Sequence, residues 1–396
     1  MTEAATMHHP PIIAFAPHAW EDRWLSRQQL LSRLGRRGWP VLYSHGPLSL
    51  WDRHRPEWRR AAWRGTIDHA DGVRLDRPGR WPPRWPTRPH WDRLAIRLHA
   101  RHLIGAMADF PGRGIALLFH PRFVPFLEPL QPRRVVYHVY DVFALMDDWT
   151  PELAGLERTL VERADLITAA SEGMARLLPG SGPARARVLH NGADVGRFLD
   201  ATRLPCPPDL AAIPRPRIGY VGTVNAKIDL EMVLRIAEIE PDWHWVFIGP
   251  VMVDGARPRD REAKALWERC LARPNIHSLG PRPREAVPAY LGHMDVNAIC
   301  YRIRDDDWVV YGYPVKLHEC LATGLPVVAG AQEAVQRHFS QVAAIAVSVE
   351  DWHQALGHGI HQGGLATPTQ RRETALGHGW DQRVDLLEQW LTELVR

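Results

Sequence analysis

Two doubly wound α/β domains in tandem are the fold class this sequence predicts, and two observations predict it. Short, almost uninterrupted apolar runs alternate with longer amphipathic stretches along most of the 396 residues. The alternation pauses at a proline-rich stretch and then starts again. Strands without a polar face belong to parallel sheets covered on both sides by helices. A chain of this length also exceeds what one ordinary core fills.

In chain order, the first half gives strands at "PIIAFA" (11–16), "WPVLYS" (39–44), "GIALLFH" (114–120), "RVVYHVY" (134–140), "ADLITAAS" (164–171) and "ARVLHNG" (186–192). Leu25, Leu30, Leu31 and Leu34 share one face of a helix over 24–37 that ends at Gly38, and "ELAGLERTLVERA" (152–164) reads as another helix. "RLPCPPDLAAIPRPR" (203–217) reads as a linker. The second half gives strands at "IGYVG", "WVFIG", "IHSLG", "DVNAICY", "LPVVAG" and "AAIAVSV". Between them lie the helices "DLEMVLRIAEI", "REAKALWERCLA", "REAVPAYLGHM" and "VKLHECLATG". The expected division is 1–202, 203–378 and an amphipathic helix in 379–396 that packs back on the first domain. Ligands of such sheets sit beyond the carboxyl ends of the strands, so a cleft between the domains is the expected site.

Composition narrows the class. An apolar share of 45% and a charged share of 24% describe a globular protein. No apolar run is long enough for a membrane-spanning helix. The segment "MTEAATMHHPPIIAFAP" lacks the basic start and cleavage site of a secretory signal. Cys206, Cys270, Cys300 and Cys320 are scattered without C-x-x-C spacing, which points to reduced thiols and a cytoplasmic setting.

The net charge of +4 is unevenly spread. Between Trp51 and Arg101 lie arginines 53, 55, 59, 60, 64, 74, 77, 80, 84, 88, 93, 97 and 101, interleaved with tryptophans 51, 58, 63, 81, 85 and 91. Six acids (Asp52, Glu57, Asp68, Asp71, Asp76 and Asp92) offset fewer than half of them. The segment is either a solvated arginine-rich face or a docking surface for an anionic partner such as an acidic membrane. Arginine with tryptophan would also suit single-stranded nucleic acid. No nucleic-acid-binding motif accompanies it, and no nucleic acid is expected.

Two stretches carry candidate chemistry. In "RIGYVGTVNAKIDLEMV" (217–233), Gly222, Thr223, Val224 and Asn225 form a turn between a strand and a helix beginning near Asp229. Free N–H groups and the helix dipole favour an anion there, and Lys227 adds a charge. The same turn also reads as plain strand-to-helix geometry. It matches neither the phosphate loop of nucleotide hydrolases nor the dinucleotide fingerprint. In "YGYPVKLHECLATGLPVVAG" (311–330), Pro314 starts a helix with Lys316 and Glu319 on one side. The two charges either pair with each other or hold a ligand, the carboxylate on vicinal ribose hydroxyls and the lysine on a diphosphate.

Pro314–Val328 resembles the P-x-K-x-x-E-x-x-A-x-G-x-P-V-V segment of GT-B glycosyltransferases related to family 4, with every fixed position met. "RIGYVGTVNAKIDLEMV" is similar to the loop opening their C-terminal domain. "ADLITAASEGM" followed by "VLHNGADVGRF" is similar to the end of their N-terminal domain. "WEDRWLSRQQLLSRLGRRGWPVLY" resembles bacterial members acting on exopolysaccharides, including xanthan-type glucuronosyltransferases.

The resemblance implies a transferase moving a sugar from a nucleoside diphosphate, UDP by expectation, to a hydroxyl of a glycan or lipid-linked acceptor. It gives Glu319 the ribose hydroxyls. Gly222, Thr223, Asn225, Lys227, Tyr313, Lys316 and Leu317 join it in the nucleotide-sugar site. It gives Asp141 the part of general base. A helix N-cap is the other reading of Asp141, and His138 and Asp148 are weaker candidates for the base. Where retaining members carry a first glutamate, eight residues before Glu319, this chain has Tyr311 followed by Gly312. That departure weakens a retaining mechanism and allows an inverting displacement with Asp141 as base; the residues leave the stereochemistry open. Neither "MDDW" nor "RDDDW" is expected to hold a metal, and no cofactor is expected. His353, His358 and His361 lack ligand spacing. A nucleotide-sugar epimerase and a non-catalytic binding protein are the alternative readings. The acceptor-side domain would meet an anionic leaflet through residues 51–101, as a peripheral protein on the inner membrane face.

Overall fold

The computed structural model describes residues 9–21, 24–110, 112–253, 255, 258–304 and 307–396. The chain divides into two compact units, Met1–His190 with Arg383–Arg396, and Asn191–Gln382.

In the first unit, β1 (Ile12–Phe15), β2 (Val41–Ser44), β3 (Thr66–Ala70), β4 (Val73–Arg77), β5 (Ile115–Leu118), β6 (Arg134–Val139), β7 (Leu166–Ala169) and β8 (Ala186–Val188) form one sheet. Its order is β3-β4-β2-β1-β5-β6-β7-β8. Every pairing is parallel except the β3–β4 hairpin at the edge. The central strands bury both faces, as their unbroken apolar runs require (Ile115, Ala116, Leu117 and Leu118 are at most 1% exposed).

The hairpin and the following helix, Pro89–Ala106, are not foreseen by apolar periodicity. Arginine and tryptophan dominate there, and β3 is mostly exposed. The signal that could have found the hairpin is Asp71-Gly72, both at positive φ (56° and 82°), the dipeptide that a tight two-residue turn favours.

In the second unit, β9 (Arg217–Val221), β10 (His244–Ile248), β11 (Ile276–Gly280), β12 (Val296–Ile299), β13 (Val327–Gly330) and β14 (Ala344–Ala346) form an all-parallel sheet. Its order, β11-β10-β9-β12-β13-β14, reverses beside β9. Such a reversal opens a crevice at the strand ends where ligands bind.

The proline-rich stretch 203–217 is not a linker. Leu210 is fully buried and Ile213 nearly so, packed with Val246, Ile248, Tyr290 and Met294. Asp209 accepts hydrogen bonds from Arg282 and Tyr290, fixing the stretch to the second unit. The division falls at His190/Asn191 rather than 202/203, because Ala193, Val195 and Phe198 already belong to the second core.

From Arg383 onward the C-terminal helix Trp380–Val395 clusters with the first unit. Arg37 pairs with Asp385 and Glu388 at 2.6 and 2.8 Å, and Trp39 Nε1 donates to Glu388 at 2.9 Å. No described helix is long and apolar enough to cross a membrane.

Candidate functional site

β9 ends at Val221, and the chain turns through Gly222 at φ +146°. A Cβ on Gly222 would run into Lys316 Nζ, and one on Gly249 would run into the Gly222 carbonyl. Both glycines are thus demanded by close approach as well as by backbone conformation. Gly222 N–H donates to Ile248 O at 2.8 Å and Val224 N–H to Pro250 O at 2.9 Å. The Thr223 and Asn225 N–H groups make no hydrogen bond among the described residues. Asn225 Oδ1 instead accepts from Lys227 N–H at 3.3 Å, closing the turn.

The following helix, Leu230–Ile239, does not offer its N-terminus to a ligand. Asp229 caps it, accepting from Met232 N–H at 3.1 Å, so a carboxylate already occupies that position. The turn amides and a lysine are what remain for an anion.

That lysine comes from the helix Val315–Ala322, whose N-cap is Pro314. Lys316 Nζ donates to Tyr220 Oη at 3.2 Å and lies 4.9 Å from that ring's centroid. Tyr220 O–H passes its hydrogen bond on to Thr223 O at 3.1 Å. Burial pulls the Lys316 ammonium down to about 7, and the neighbouring Lys227 charge adds to the fall. Lys227 Nζ itself sits 4.8 Å from the Tyr301 ring centroid. Two cations therefore converge on the glycine turn, at a cost that an anion would relieve.

Glu319, one turn further along, makes no hydrogen bond or ion pair among the described residues, and in particular none with Lys316. Burial raises its carboxyl above the usual range, against the pull of Lys316, Arg284 and Arg197. A partly buried carboxylate with both oxygens unspent suits hydroxyl donors.

The two remaining members of the predicted set go elsewhere. Leu317 is fully buried, and Tyr313 is 5% exposed with its hydroxyl 3.1 Å from His378 Nδ1. Both side chains build the core beneath Lys316. His318, which sequence reasoning passed over, lies there too, stacked 4.7 Å from His378. His353 is tied to Glu240 at 2.7 Å and stacked on Trp243, a structural role. In "RDDDW", positions 305 and 306 lie outside the described residues, as do positions 1–8 of the N-terminal segment.

In the first unit Asp141 follows the carboxyl end of β6. It caps no helix: the 3-10 turn Phe143–Leu145 has Val142 at its N-cap, and Asp141 Oδ1 accepts from Val142 N–H at 3.0 Å. His138 lies within the sheet, bonded through Nδ1 to Thr168 Oγ1 at 2.8 Å, and burial lowers it to about 4. Buried 2% exposed, it is a poor base for an outside hydroxyl. Asp148 is exposed.

Residues 215–362, which contain the glycine turn, Lys316 and Glu319, match the family model described as Glycosyl transferases group 1. The matched stretch lies within the second unit. The resemblance drawn from Pro314–Val328 is borne out at that level.

A curated relative, a proposed teichuronic acid biosynthesis glycosyltransferase, TuaH, of Bacillus subtilis (strain 168), is 26% identical over 175 residues. The match spans 43% of this chain and 42% of the relative's length. Among solved structures, sucrose-phosphate synthase of Thermosynechococcus elongatus superposes with a TM-score of 0.70 at 14% identity, covering 98% of this chain and 99% of that one. Anabaena HepE, solved in complex with UDP and glucose, gives 0.69 at 12%, covering 97% and 100%. An E. coli trehalose-6-phosphate structure bound with UDP-2-fluoro glucose gives 0.67 at 13%, covering 96% and 98%. The whole chain thus has the two-sheet GT-B fold that these structures share.

Proposed function

We propose that the protein transfers a sugar from a UDP-sugar to a hydroxyl of a glycan or lipid-linked acceptor in polysaccharide synthesis. The observation that carries the reading is Lys316 Nζ held over Gly222, beside two unspent turn amides, with an unpaired Glu319 one turn away. In this reading Lys316, Lys227 and the Thr223 and Asn225 amides take the diphosphate. Glu319 accepts from the two ribose hydroxyls. UDP is favoured among nucleotides because the HepE and trehalose-6-phosphate structures hold UDP or a UDP-sugar.

The chemistry is a displacement at the anomeric carbon. The acceptor oxygen forms a bond to that carbon as the bond to the diphosphate oxygen breaks. Asp141 takes the acceptor's proton, and the leaving charge spreads over Lys316 and the turn amides, preorganised donors that need no rearrangement. With Tyr311 in the place of a first glutamate, the stereochemical outcome we assign is inversion. Lysine and amides supply the countercharge, so the transfer is assigned as metal- and cofactor-independent. Activity lost in EDTA and restored by magnesium would contradict that assignment.

The narrower assignment, to exopolysaccharide enzymes with a cytoplasmic site on the inner membrane face, draws on two features. The TuaH relative is named for teichuronic acid biosynthesis. Trp51, Trp63, Trp81 and Trp85 of the arginine-rich segment are 58, 64, 49 and 36% exposed. Interfacial tryptophan beside arginine suits an anionic leaflet.

The test is a panel of UDP, GDP, ADP and dTDP, followed by the sugars of whichever nucleotide raises the melting temperature. Selective stabilisation by UDP supports the reading. No stabilisation by any nucleotide would sink it.

A further inference from the structure

Arg27 is 1% exposed, yet its guanidinium makes no hydrogen bond or ion pair among the described residues. Its Nε is sealed off without a partner. Its Cζ lies 5.8 Å from the centroid of the Tyr140 ring. A buried guanidinium without an acceptor is costly, since arginine does not deprotonate and all five N–H groups want partners. Among the described residues, the buried Arg217 and Arg371 are anchored, by Ile213 O and by Gly324 O.

A second guanidinium with no described ion pair, Arg122, rises from the turn after β5. Its backbone N–H donates to His120 Nδ1 at 3.1 Å, its Cζ lies 5.9 Å from the Phe123 ring centroid, and the residue is exposed. The His120 imidazole stays neutral, pushed down to about 3 by burial and then by Arg122 itself. Both arginines act on Tyr140. Burial pushes its hydroxyl up to about 12, with Arg27 and Arg122 opposing and Asp141 and Asp148 adding to the rise.

These residues share one place in the fold. Arg27 is in the first turn of the helix after β1, Arg122 follows β5 and Tyr140 follows β6, three adjacent strands at their carboxyl ends. The helix dipole adds to the positive field at Arg27.

We propose that Arg27 and Arg122 form a receptor for a pyrophosphate carried by the acceptor, placed beside Asp141. This rests on the transferase reading, in which Asp141 receives the acceptor's hydroxyl. Two cations around a tyrosine suit a diphosphate, which offers several oxygens to two planar guanidinium forks.

The test uses the full chain with UDP at saturation, so that the glycine turn of the second unit is already filled. Titration calorimetry is run with inorganic pyrophosphate, with a short-chain alkyl pyrophosphate and with glycerol phosphate, the last standing for a phospholipid headgroup. The expectation is that wild type binds both pyrophosphates. Arg27→Met and Arg122→Met should each weaken them by about tenfold or more, the worth of a charged hydrogen bond. UDP affinity should stay unchanged. Arg27→Met should also melt no lower than wild type, because it removes an unpartnered buried charge, and Arg27→Lys should recover part of the binding. Failure of the wild type to bind pyrophosphate, or equal binding by the variants, overturns the receptor. Equal binding of glycerol phosphate would assign it to bilayer lipid and overturn the acceptor assignment. Loss of UDP affinity in either arginine variant would mean that these arginines serve the donor instead. Failure of UDP to bind wild type strikes the transferase reading and leaves the pyrophosphate arms to judge the receptor alone.

Discussion

Lys316 donates to Tyr220 rather than to Glu319, although the glutamate is one helical turn away and unpaired. Tyr220 holds the ammonium over Gly222 at the end of β9. With its pKa drawn down to about 7 by burial, Lys316 is half-charged at neutral pH. A diphosphate would restore the charge, so binding should take up a proton. UDP affinity is therefore expected to fall as pH rises through 7 toward 9, read by calorimetry in buffers of different ionisation enthalpy. No proton uptake at pH 8 would contradict this.

The same shift makes a stability prediction. The folded pKa lies below the ordinary value of 10.5, so between about 7 and 10.5 the unfolded chain binds the extra proton. Stability from this residue is then expected to rise with pH across that window. Lys316→Met should flatten the dependence and melt higher than wild type near pH 7. It should also lose on the order of 10²-fold in kcat, the usual cost of a missing charge stabiliser.

Gly222→Ala tests the turn. The new methyl would collide with Lys316 Nζ, and the residue would hold φ +146°, which side chains rarely adopt. A cost of about 1–3 kcal/mol in stability is expected from the backbone alone. UDP binding should weaken at the same time, because Lys316 must move. Gly105→Ala, at an open helix position, is the control: it should cost no stability and leave UDP binding unchanged.

The parallel sheets were legible because Ile115–Leu118, Trp245–Ile248 and Val327–Gly330 are apolar without a break, the mark of strands covered on both faces. The residues that the proposal places around the donor could be picked out because glycine, lysine and glutamate sit at fixed spacing on one helix and one turn. Arg27 was not, since a lone arginine in an amphipathic helix looks like solvent-facing charge until its burial is seen. Tyr220 was hidden for a similar reason: within β9 it reads as core, and only its hydroxyl shows what it does. The linker reading failed at Leu210 and Ile213, two apolar side chains that the five prolines of 203–217 concealed.

Glu319→Gln keeps an acceptor oxygen but drops the charge, whereas Glu319→Ala removes both. Two ribose hydroxyls bonded to a carboxylate are worth about 1.5–3 kcal/mol each. The alanine variant is expected to raise KM for the UDP-sugar by about 10²-fold, and the glutamine variant by less. Because the interaction persists from ground state to transition state, kcat should change little. A fall in kcat with KM unchanged would move Glu319 from the ribose to the reacting centre.

Asp141→Asn is expected to do the reverse. It leaves the hydrogen bond from Val142 N–H an oxygen to use, so the loop after β6 should keep its shape. It removes the base, which is worth about 10²–10⁴-fold in kcat. UDP affinity should be unaffected, because no part of the nucleotide is assigned to this residue. The diagnostic is the pH profile of kcat: the wild type should lose rate on the acid side as the carboxylate protonates, and the variant should lose that limb altogether. A variant that retains the limb would show that another group takes the proton. His138, bonded to Thr168 and lowered to about 4, is too deeply buried to be that group.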